Sequence, residues 1–145
     1  PNTRKWDWAP DDIADVQNSS GYNDQIYLRL AETYLILAEA QFKLGDAAGA
    51  AATINTLRAR SNAPAITAAQ VTLDFILDER SRELHWEGHR RQDLIRFGKY
   101  TGGSYNWAWK GNGINGVPLS PNLKVFPIPE AALASNPNLT QNTGY

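Results

Sequence analysis

The chain has no cysteine among its 145 residues, which excludes disulfides, thiolate metal sites and cysteine nucleophiles within it. Histidine is scarce, with two copies. No apolar run is long enough to span a bilayer. Neither sign of charge is in excess. The formal net charge of -1 leaves no electrostatic footprint for nucleic acid or an anionic membrane. No signal peptide or lipid-attachment cysteine is visible. The first residue is Pro1 rather than Met, so we expect a chain that is processed or part of a longer one. What remains is ordinary for a globular protein: 42% hydrophobic and 20% charged residues, in a length that supports one domain with a core.

Apolar spacing predicts a mainly α fold. Residues 1–25 read as an irregular lead-in, with Trp6 and Trp8 packing on the body and a turn at "NSSG". "IYLRLAETYLILAEAQFKL" (26–44) reads as a helix whose stripe is Leu30, Ala31, Tyr34, Leu35, Ala38 and Phe42. Arg29, Glu32, Glu39 and Lys43 fall mostly off it. Gly45 stops that helix and Asp46 caps the next, over 47–60, which brings Ile54 and Leu57 to the core and ends at "SNAP". The stretch from Ala38 to Ile54 is similar to a tetratricopeptide unit. A stack of such units needs about three to be stable, so a lone one implies partner helices elsewhere. A third helix is expected from Thr67 or Thr72 to Glu87, with a capping box in "TAAQ". Gly88 marks a bend, and a shorter helix follows to Gly98 or the Gly102–Gly103 pair. The body thus spans 26–100, a helical hairpin plus a bent helix pair. Residues 101–145 form a long irregular loop region, with a helical turn at Pro129–Glu130.

Both histidines lie in "ERSRELHWEGHRRQDL" (79–94). A zinc hydrolase helix needs two histidines on one face and a base beside the metal-bound water. His85 and His89 meet the first condition only if the helix crosses Gly88. Glu87, two residues past His85, lies about 200° around the helix and fails the second. No third histidine exists. We therefore expect no metal, no cofactor and no catalytic residue. The charges carry more: Glu79, Arg80, Glu83, Glu87, Arg90 and Asp93 recur at steps of three or four, with Leu84 and Leu94 embedded among them. This predicts a partly buried Arg–carboxylate lattice around the bend, because burial requires pairing. Arginine pairing also lowers carboxylate pKa and makes poor general acids.

In these stretches the chain resembles the SusD/RagB family of outer-membrane nutrient-binding lipoproteins. The resemblance rests on "RLAETYLILAEAQFKLGD", "INTLRARSNAP", "LDERSRELHWEGHRRQDLIRFGKY" and the ending "VFPIPEAAL…NPNLTQNTGY", in that order. The third carries the family pattern at Glu79, Arg80, Glu83, Leu84, Glu87, Gly88, Arg90, Asp93, Leu94 and Arg96. The resemblance implies a single C-terminal domain over 1–145. The family's N-terminal part, with its lipid-anchoring cysteine and most tetratricopeptide-like helices, would lie outside this chain. It further implies a non-enzymatic protein on the cell-surface face of the outer membrane. Its partners would be a SusC-like TonB-dependent transporter and an oligosaccharide or peptide ligand, and its membrane attachment only that lipid anchor.

Sugar rings stack on exposed aromatic faces beside polar groups that read hydroxyls. "SYNWAWKGN" supplies Tyr105, Trp107 and Trp109 next to Asn106, Lys110 and Asn112, and the two tryptophans share a face if the chain is extended. Those rings either stack on a ligand or pack the loop onto the body. Two functions compete: a surface glycan-binding component of a TonB-dependent import complex, and a tetratricopeptide-like scaffold that holds a protein or peptide partner.

Overall fold

The computed structural model describes residues 27–145. The lead-in tryptophans, the "NSSG" turn and Ile26 lie outside the described residues. Among the described residues there are five α-helices, and a lone antiparallel bridge joins Gly102 to Leu119. None of these helices is long and apolar enough to cross a membrane.

Helix α1 (Leu30–Lys43) starts later than its sequence pattern predicts, because Arg29 is extended at φ -143°, ψ 157°. Its inner face is Ala31, Leu35, Ala38 and Glu39, whereas Leu30 points outward. Helix α2 (Ala47–Arg60) has the expected bounds. Asp46 caps it by accepting the Gly49 N–H at 2.7 Å, and Asn62, at φ 54°, turns the chain away after it. Ala50 and Ala51 let α2 approach α1 closely. "TAAQ" forms its capping box on a separate 3-10 turn, Ala68–Gln70, and Thr72 caps α3 (Leu73–Glu83) by accepting the Phe75 N–H at 3.0 Å.

Helix α3 ends at Glu83, short of the expected Glu87. Trp86 at φ 65° and Gly88 at φ 81° reverse the chain before α4 (Arg90–Arg96). Among the described residues no atom other than those of its chain neighbours lies within 4 Å of where a Gly88 Cβ would stand, so glycine is needed there for backbone conformation rather than space. Beyond α4 come 3-10 turns at Lys110–Asn112 and Pro121–Lys124, then α5 (Glu130–Ser135). Pro129 is its N-cap, one position earlier than the expected first turn. The Gln141 side chain bonds both Ile128 N–H (2.8 Å) and C=O (2.9 Å), pinning the tail.

Two apolar clusters hold the helices. Ala38, Ala50, Ile54, Ile66, Val71 and Ile76 form one, flanked by Phe42, Phe75 and Phe97. Ala31, Leu35, Leu57 and Leu84 form the other. Each fully buried Ile or Leu contributes about 1.5–3 kcal/mol. The α3 stripe passes from Ile76 and Leu77 to Arg80 and Leu84, so the buried face does turn ionic.

That ionic part is a lattice between helices. Arg80 Nε bonds Asp93 at 2.8 Å, joining α3 to α4. Arg29 reaches Glu83 at 2.6 Å and Glu87 at 2.8 Å, fixing the start of α1 against the end of α3. Arg58 of α2 holds Glu79 at 2.9 Å, and Arg96 of α4 holds Glu39 of α1 at 2.5 Å. Burial alone would raise the Glu39 carboxyl, but Arg96 and Lys43 outweigh it and hold the carboxyl below its usual range. Arg90 departs from the expected lattice, with a carbonyl and a phenol as its partners.

Candidate functional site

A cleft of about 480 Å³ opens where the end of α3, the 84–89 reversal, the start of α4 and the Tyr105–Lys110 loop meet. Arg80, Leu84, Trp86, His89, Arg90 and Trp107 line it. The reversal presents Trp86, which is 72% exposed.

Tyr105 and Trp107 come together as an edge-to-face pair, centroids 5.9 Å apart at 64°. Tyr105 is held from both sides. Its hydroxyl donates to Asp78 of α3 and accepts from Arg90 Nη2 at 2.9 Å. Burial, then the bond to Asp78, raise the Tyr105 pKa, so the phenol stays a donor. Arg90 also donates to the Leu77 carbonyl at 3.1 Å. Its guanidinium lies 5.6 Å from the Tyr105 ring and 5.9 Å from the Trp107 ring.

Lys110 is 2% exposed and supports the loop from inside, where the sequence offered it as a ligand-reading group. Its Nζ donates to Tyr105 O at 2.6 Å and Lys99 O at 3.3 Å, and sits 5.0 Å from the Trp107 ring. Burial pulls its pKa below the ordinary lysine value. Gly116 backs the same loop. A Cβ there would stand 2.5 Å from the Trp107 carbonyl oxygen, so no side chain fits.

The other sequence candidates fall elsewhere. Asn106 is exposed and donates to Gly103 O at 3.4 Å within its own turn. Trp109 adopts φ 70°, so the strand that would align it with Trp107 does not form, and it lies outside the cleft lining. Trp107 is 41% exposed and Trp109 65%. The helix needed to carry both histidines stops at Glu83, leaving His85 in the reversal and His89 as the α4 N-cap, 3.5 Å from Glu32. Among the described residues no group of three or more His, Asp or Glu is placed to hold a metal. Asp78, the Tyr105 contact of Arg90 and the internal role of Lys110 carry no local sequence signal, because each depends on contacts across the fold.

A protein-family model described as the SusD family matches residues 3–145. The starch-binding protein SusD of Bacteroides thetaiotaomicron is 41% identical over 143 residues, covering 97% of this chain and 25% of that protein. Among solved structures, surface glycan-binding protein A from Bacteroides uniformis superposes with a TM-score of 0.70 at 31% identity, covering 87% of this chain and 29% of its own. A putative sugar binding protein from Bacteroides vulgatus gives 0.63 at 33% identity, over 82% and 28%. The chain thus spans about a quarter of the length of the curated relative.

Proposed function

The chain belongs to the SusD family, and from that premise we propose that it is a glycan-binding component of a cell-surface nutrient import complex. The observation that carries this is the 41% identity, across 97% of the chain, to a protein named as starch-binding. In this proposal the protein binds rather than transforms its ligand. It acts on the outer face of the outer membrane beside a SusC-like TonB-dependent transporter, with an oligosaccharide as cargo. On this chain the ligand sits in the cleft under Trp107 and Trp86, with Tyr105 bracing Trp107 from behind. Stacking of a sugar face on a half-exposed, braced indole is favourable because little side-chain freedom remains to be lost. Asn106 and Trp109 are proposed as outer contacts only.

Titrating neutral and acidic oligosaccharides into the full-length protein while following tryptophan emission tests this. Saturable quenching by at least one glycan is expected. Silence across a broad glycan array would sink it.

A specific observation favours a second role, as a helical scaffold. Leu30 and Leu37 on the outer side of α1, and its C-cap Leu44, recur every seven residues and are exposed by 68%, 47% and 87%. Such an apolar stripe suits a partner helix. A Leu37→Glu variant separates the two roles. Unchanged glycan affinity with failed glycan-dependent growth assigns α1 to a partner, whereas lost affinity ties α1 to the sugar site.

A further inference from the structure

Most guanidiniums among the described residues are matched with carboxylates; Arg91 instead donates to the Leu123 and Lys124 carbonyls and lies over the Phe126 ring, away from the cleft lining. Arg29, Arg58, Arg60, Arg80, Arg82 and Arg96 each meet a Glu or Asp oxygen at 2.5 to 2.9 Å. Arg90 is different. It is half-buried on the cleft wall, and its hydrogen bonds go to the Leu77 carbonyl and the Tyr105 hydroxyl, both neutral. Asp78 is one bond further on and is engaged by the same hydroxyl. Lys110 behind Trp107 has carbonyl partners alone among the described residues. Asp93 lines the cleft too, but Arg80 and Arg96 already engage it. Arg80 lies buried at the same cleft, and its Nη1 has no hydrogen-bond partner among the described residues. The Trp107 end of the cleft therefore holds more cation and more N–H donors than the described residues answer.

We infer that the cleft selects an acidic sugar, a pyranose bearing a carboxylate or sulfate, with its ring against Trp107 and its anionic group on Arg90. This rests on the glycan-binding proposal above and narrows it. A planar guanidinium fork with unused N–H donors fits two oxygens of one anion side by side. Sugar hydroxyls can accept those hydrogen bonds but bring no charge to offset a half-buried cation. Trp86 also lines the cleft. The neutral partners of Arg90 hold its fork in place without quenching its charge.

The test uses the full-length protein and matched ligand pairs: oligogalacturonate against its methyl ester, and a sulfated galactan oligosaccharide against its desulfated form. Neutral gluco-, manno- and xylo-oligosaccharides complete the panel. Affinities are measured by calorimetry at low and high salt. At least one acidic member should bind about tenfold or more tightly than its neutral twin, with a gap that narrows as salt rises. Which pair shows the gap identifies carboxylate or sulfate as the source. Arg90→Gln should close the gap by lowering the affinity of the acidic member more than that of its neutral twin, and Arg90→Lys, which keeps the charge, should retain part of it. Circular dichroism confirms that both variants fold. Equal affinity for charged and neutral twins overturns the acidic-sugar inference and leaves glycan binding standing. A gap that persists in Arg90→Gln overturns the role of Arg90. No binding by any member overturns the glycan proposal itself.

Discussion

Asp93→Asn isolates the bond on which the bent helix pair depends. Asp93 Oδ2 takes the Arg80 Nε–H at 2.8 Å, with side chains only 6% and 4% exposed. Its other oxygen faces Arg96 at 3.3 Å, and Arg96 keeps Glu39 at 2.5 Å whatever happens to Asp93. Arg80 is less well provided. Its remaining carboxylate is Glu32 at 3.6 Å, and its Nη1 is already unpartnered among the described residues. Neutralising Asp93 therefore strands a buried cation, which costs about 3–5 kcal/mol. For a chain of 145 residues each kcal/mol moves Tm by about 3 °C. Asp93→Asn, with its amide oxygen still able to accept, should sit at the lower end, near 3 kcal/mol and about 9 °C. The double variant Arg80→Met, Asp93→Leu removes both charges and should recover most of that loss, because apolar replacement of a buried pair is often neutral. Urea denaturation followed by far-ultraviolet circular dichroism at neutral pH measures both. A loss below about 1 kcal/mol for Asp93→Asn, or additive losses in the double variant, would refute the claim that this pair couples α3 to α4.

Two further predictions concern pH and one concerns glycine. The Glu39 carboxyl titrates lower folded than its unfolded value of 4.5, so its contribution is complete above that value and fades as pH falls through the folded pKa. Melting between pH 6 and 3 should show wild type losing more stability than Glu39→Gln. Lys110 has its folded pKa below the unfolded 10.5, so the unfolded chain holds the proton longer and stability rises with pH between the two. Chemical denaturation at alkaline pH should show that rise, and Lys110→Met should lack it. Gly88→Ala should cost about 1–2 kcal/mol from backbone strain alone, whereas Gly116→Ala also meets the Trp107 carbonyl and should weaken glycan binding as well as stability.

Local chemistry was readable where local chemistry decides. Asp46, the alanine run and "SNAP" set α2 to the residue, and the TAAQ capping box forms as its side chains require. The errors lie where distant residues decide. Arg29 looks like one more helical position, but Glu83 and Glu87, 54 and 58 residues away, hold it at the threshold of α1. The charges of 79–93 do form a lattice, yet of its pairs only Arg80–Asp93 and the local Arg82–Glu79 lie within that segment. The rest recruit Arg29, Arg58 and Arg60, which periodicity cannot match to their partners. In the candidate site, the shared face expected for Trp107 and Trp109 fails because Trp109 takes a left-handed backbone, and Trp107 meets Tyr105 instead, a pairing the sequence did not indicate. Arg90 looked like a lattice member. Its neutral partners emerge only when the Tyr105 loop folds over α3.

The central claim is that this protein binds a glycan in the cleft beneath Trp107, and one comparison tests it most directly. Calorimetric titration of the best glycan ligand against wild type, Trp107→Ala and Trp109→Asn should show affinity lost in the first variant and reduced only slightly in the second, an outer contact whose asparagine suits the left-handed backbone there. Full affinity in a folded Trp107→Ala variant, or loss confined to Trp109→Asn, would contradict it.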